Sequence, residues 1–82
     1  MKKETIQKIF NFIQDSKNDF YTDHGLENES IEVLMPSYLR LLINSKSKTI
    51  FNLKVNNHYT RNEVVVYSNE VKNTIPAKIL KF

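Results

Sequence analysis

Cysteine is absent from the 82 residues, which excludes disulfides, thiolate metal sites and thiol nucleophiles. Glycine occurs once, at Gly25, and a single glycine cannot build a phosphate-cradling loop or a dinucleotide fingerprint. Apolar runs are short, as at Val64-Val65-Val66-Tyr67. A bilayer-spanning helix needs about 20 apolar residues, so no membrane partner is expected. Lys2 and Lys3 are followed by Glu4-Thr5-Ile6-Gln7 and not by the apolar stretch of a signal peptide, so the expected location is the cytoplasm.

What is present describes a globular chain. Hydrophobic residues make up 40%, charged residues 26%, and nine aromatics run from Phe10 to Phe82. A chain of this length supports one hydrophobic core, so a single small α+β domain over residues 1–82 is expected. Asparagine, lysine and isoleucine are over-used while alanine and glycine appear once each. That bias follows AT-rich codons and points to a low-GC bacterium, or to one of its phages or plasmids. Charge is segregated along the chain. Residues 1–39 carry four basic and seven acidic side chains (−3), and residues 40–82 carry eight basic and two acidic (+6), giving the net +3. The acidic stretch is Asp15, Asp19, Asp23, Glu27, Glu29 and Glu32, and it reads as a solvated face or one pole of a dipolar surface.

Ile6, Ile9, Phe10, Ile13 and Phe20 recur at helical spacing, with Phe12 widening the stripe. This predicts an amphipathic helix from Lys3 to Asn18, running on toward Tyr21. Gly25 supplies the positive φ of a helix end or turn. Ile31 to Met35 predicts a strand buried on part of each face, stopped by Pro36. A short helix follows through Ile43, with Leu39, Leu42 and Ile43 on one face, flanked by Tyr38 and Leu41. Phe51, Leu53 and Val55 alternate with Asn52 and Lys54, which predicts a half-buried strand over Thr49 to Asn56. With Glu63 to Tyr67 it forms an expected antiparallel hairpin with a longer loop. Ala77 to Phe82 is an edge strand or a tail. The fold class is therefore α+β: N-terminal helix, strand, short helix, hairpin and a candidate C-terminal edge strand, with both helices on one face of a mostly antiparallel sheet.

No catalytic, cofactor or metal site is expected. His24 and His58 stand alone, although Asp23, Glu27 and Glu29 lie near His24. Ser37 and Ser68 lack a spaced base. Glu70-Val71-Lys72 has the acidic-x-Lys spacing of a nuclease superfamily without its Pro-Asp partner. The best candidate contact for nucleic acid or another partner is the connector bearing Lys54, His58, Tyr59 and Arg61, where cations and an aromatic ring can meet phosphates and stack a base. Aromatics on the first helix exceed what a small core needs, so Phe12 and Tyr21 are candidate protein-interface residues.

Val33-Leu34-Met35-Pro36, the helix from Ser37 to Ile43, Phe51-Asn52-Leu53-Lys54-Val55 and the strand Glu63 to Tyr67 together resemble a segment of tailed-phage major capsid proteins and other small phage proteins. In those, an apolar-Met-Pro step enters a helix and a Phe-Gly-x-Pro-Val strand follows. Here Asn52 stands at the glycine and Lys54 at the proline. The resemblance covers just under half of the chain and implies a phage or mobile-element origin. The function expected is a non-enzymatic binding protein that occupies a host macromolecule as inhibitor or adaptor, with a host protein such as a defence or replication protein as the expected partner. The alternatives are a nucleic-acid-binding module and a virion or assembly component, the last implying a homodimer or larger homo-oligomer.

Overall fold

Two helices lie on one face of a four-stranded sheet in the computed structural model, which describes residues 2–47, 53–58, 61–70 and 75–82. Helix α1 runs Lys3–Asp23 and so continues two residues past Tyr21. Ile9, Ile13, Ser16 and Phe20 recur every three or four residues and are buried, because 100° per residue gathers them into one stripe. The helix ends where Gly25 takes φ 64. That turn lets the Leu26 N–H donate to the Phe20 carbonyl at 3.2 Å, and Leu26 joins the core.

A short 3-10 turn, Asn28–Ser30, leads into β1 (Ile31–Met35). Pro36 has no N–H to extend a ladder, and its carbonyl accepts from the amides of Leu39 (3.0 Å) and Arg40 (3.3 Å). It thereby caps α2 (Ser37–Ser47). Strands β2 (Lys54–Asn57), β3 (Glu63–Ser68) and β4 (Lys78–Lys81) complete the chain. The α+β class and the order of elements are those expected, and residues 78–81 are an edge strand and not a tail. The part of the expected second strand before Leu53 lies outside the described residues.

Strand pairing differs from the expected hairpin. The sheet order is β2-β1-β3-β4, so β1 lies between the two strands read as neighbours. β2 pairs with β1 in parallel, Val33 opposite Val55, and β3 pairs with β1 antiparallel, Val33 opposite Val66. The reason is in β1 itself. Its side chains are buried on both faces except for Leu34, which is half-buried, and such a strand belongs at the centre of a sheet. The helix between β1 and β2 then acts as the crossover that parallel strands require. The adjacent antiparallel pair in sequence is β3 with β4, Val65 opposite Ile79.

Cross-strand partners point to the same face, so Ile31, Val33, Met35, Val64 and Val66 meet the helices. They form one core cluster with Ile9, Ile13, Phe20, Leu26, Leu39 and Ile43, and Val55, Leu80 and Phe82 pack against it. On the opposite face, Leu34, Val65 and Ile79 stand in one cross-strand row.

Candidate functional site

Beside that row sits the most concentrated polar group among the described residues. Glu32 is only 5% exposed. Its Oε2 accepts hydrogen bonds from the Asn56 amide (2.7 Å) and the Tyr67 hydroxyl, and its Oε1 lies 3.1 Å from Lys54 Nζ. The register explains the meeting: Glu32 is the cross-strand partner of both Lys54 on β2 and Tyr67 on β3. The Tyr67 hydrogen bond, aided by those of Asn69 and Lys54 and opposed by burial, holds the Glu32 carboxyl below its ordinary range. Burial and the hydrogen bond to Glu32 push the Tyr67 hydroxyl up. Each member is a donor or acceptor for another, so the cluster joins three strands. Glu32 is thus not part of a solvated acidic face, which corrects the reading of residues 15–32. Asp19 likewise pairs with Lys78 across α1 and β4. Charges segregated in the sequence are brought together by the fold.

Of the four residues of the basic connector, the structure describes Lys54, His58 and Arg61, and each has a different setting. Lys54 lies on the open sheet face, paired with Glu32. His58 follows β2, about 13 Å farther along the strand than Lys54. Its amide donates to the Met35 carbonyl at 2.7 Å, and its buried Nε2 meets no hydrogen-bond partner among the described residues. Arg61 is exposed in the turn before β3, and Tyr59 lies outside the described residues. That turn is organised by Asn62, at φ 61, whose side-chain oxygen accepts from the Tyr38 hydroxyl at 3.0 Å.

The two helix aromatics also separate. Phe12 and Tyr21 are nine residues apart, which at 100° per residue sets them on opposite sides of α1. Phe12 packs partly buried against the core beside Leu80, while Tyr21 is half exposed. A larger apolar surface lies on α2, where Tyr38 (47% exposed), Leu41 (79%) and Leu42 (45%) occupy one sector. Leu42 was expected to share the buried face of Leu39 and Ile43. It falls about 60° to the side of Leu39, away from Ile43, and so comes out toward solvent. The i, i+3, i+4 spacing of residues 38, 41 and 42 was the signal in the sequence, read there as flanks of a core stripe.

Among the described residues no three His, Asp or Glu side chains gather as a metal site, and no helix is long and apolar enough to cross a membrane. No protein-family model matches the chain, and no match was found among curated proteins or solved structures.

Proposed function

We propose that this chain is a non-enzymatic binding protein of phage or mobile-element type that acts by stoichiometric association with a host protein, as inhibitor or adaptor. The observation that carries this reading is the outer face of α2, where Tyr38, Leu41 and Leu42 present a contiguous apolar surface with Leu41 four-fifths exposed. Apolar and aromatic side chains grouped this way on one helix face are what a protein partner covers. The converging polar side chains support a non-catalytic role, because Glu32, Lys54, Asn56 and Tyr67 are engaged with one another. The pairing of Lys54 with Glu32 and the burial of His58 Nε2 favour a protein over a nucleic acid as partner.

The test is a pair of tagged baits, wild type and Leu41→Lys, run against lysate of a low-GC Gram-positive bacterium with and without nuclease. The expected result is a host protein that survives nuclease and is lost with Leu41→Lys. The urea midpoint of the variant should stay within about 0.5 kcal/mol of wild type, since the side chain is exposed. Equal capture by both baits, or none by either, overturns the reading. Capture that disappears with nuclease favours the nucleic-acid alternative.

A further inference from the structure

The sheet ends at β4, which among the described residues pairs only with β3. The Phe82 amide donates to the Asn62 carbonyl at 2.9 Å, which fixes the phase of that ladder. Residues 78, 80 and 82 therefore direct their backbone groups toward β3, and Ile79 and Lys81 direct theirs to the outer edge. Antiparallel pairing of this edge with a second copy keeps outward residues opposite outward residues, which allows a centre at Ile79, Leu80 or Lys81. A centre at Lys81 sets lysine against lysine, and a centre at Ile79 reaches beyond β4 to Ala77. Centred on Leu80, the N–H and C=O of each Ile79 meet the C=O and N–H of Lys81 in the other copy, and Leu80 faces Leu80. No like charges then stand directly opposite. Lys78 meets Phe82, and Lys81 meets Ile79 while keeping Glu63 as its cross-strand neighbour on β3.

The two-fold axis of that pairing stands perpendicular to the sheet, so it sets α1 antiparallel to its copy along the seam. Leu80 and Phe12 line one shallow cleft between β4 and α1, which places Phe12 close to the axis. Lys8 and Asp15 line the same cleft, two turns apart and within about 20° of each other around the helix. An antiparallel copy centred between Asn11 and Phe12 sets Lys8 opposite Asp15, and Asp15 opposite Lys8. Both side chains are exposed, and neither has an ion-pair partner among the described residues. Glu4 comes opposite Asp19, whose charge Lys78 already offsets. The geometry points to a homodimer joined edge to edge through β4, with Leu80 and Phe12 at its centre and reciprocal Lys8–Asp15 pairs between the two α1 helices. A foreign strand could use the same backbone groups but would leave Lys8 and Asp15 unanswered. Strand register and helix charge pattern are each self-complementary about one axis, and that coincidence selects a second copy. This surface is separate from the outer face of α2 and does not rest on it.

The experiment is sedimentation equilibrium of the full-length protein up to about 1 mM, with amide hydrogen exchange followed at the low and high ends of the range. The expected result is a monomer–dimer equilibrium in which protection of the Ile79 and Lys81 amides grows with concentration. Ile79→Pro removes an outward donor and spares the ladder with β3, so it should leave a folded monomer. Lys8→Glu and Asp15→Lys should each weaken association about ten-fold, because both reciprocal pairs turn repulsive. The double exchange Lys8→Glu/Asp15→Lys should restore it, and an equimolar mixture of the two single variants should associate more tightly than either alone. Leu41→Lys should change nothing, which separates failure here from failure of the α2 surface. A monomer at every concentration, a dimer that Leu41→Lys breaks and Ile79→Pro spares, or no recovery in the double exchange overturns the inference. A monomer whose Ile79 and Lys81 amides become protected only on adding a capped valine–threonine heptapeptide overturns it in favour of a foreign strand.

Discussion

Glu32 shows how one side chain ties three strands. Its carboxylate accepts from β2 and β3 while standing on β1, so it is both buried and satisfied. Because its pKa is lowered in the folded chain, the stability it confers is fully present above the ordinary glutamate value of 4.5 and is lost as pH falls through that value to the depressed one. Tyr67 acts at the other end of the scale. Its raised pKa means that its contribution is intact below pH 10.0 and lost as pH rises through the folded value. Glu32→Gln removes the charge and keeps the shape. The expected outcome is a loss of about 1–2 kcal/mol at pH 7, with a urea midpoint that falls less steeply than wild type between neutral pH and acid. Urea titrations at several pH values check both parts. The composition of β1 reveals a glutamate flanked by apolar residues, but nothing local names Tyr67 or Asn56 as its partners.

At the scale of elements, the ends of α1 and α2 are set by single residues whose backbone chemistry is readable in the sequence. Pro36 separates β1 from α2 by lacking a donor, and Gly25 ends the turn after α1 by taking a positive φ. A Cβ placed on Gly25 meets no atom within 4 Å, so the cost of Gly25→Ala is one of backbone conformation alone. The left-handed penalty, partly offset by the reduced entropy of the unfolded alanine chain, leaves an expected loss of about 1 kcal/mol. Thermal unfolding of the variant measures it, and Gly25→Asn should lose less, because asparagine enters this region more readily. Pairing of the elements is a different matter. β2 is four residues long with Val55 its one apolar residue, and no feature within it distinguishes an antiparallel neighbour of β3 from a parallel neighbour of β1.

Across the whole molecule, the buried hydrophobic side chains from both helices and from the central strands β1 and β3 belong to one cluster. One core implies one cooperative unfolding event, and at about 0.7 kcal/mol per residue the 82-residue chain should absorb about 57 kcal/mol near 60 °C. Calorimetry should show a single transition whose van't Hoff and calorimetric enthalpies agree. Two transitions would mean that α2 and β2 form a separate unit. The sequence by itself determined what depends on neighbours along the chain: the helical stripe of Ile9, Ile13 and Phe20, the stop at Pro36, the turn at Gly25, the apolar strand Glu63 to Tyr67 and the α+β class. These follow from periodicity and from backbone restrictions that act within a few residues. Only the tertiary structure decided the strand order, the burial of Glu32, the pairings of Lys54 with Glu32 and of Asp19 with Lys78, and the exposure of Leu41 beside a covered Leu39. Each of these depends on which segments meet at long range, and the energies that select one pairing over another are summed over the entire core.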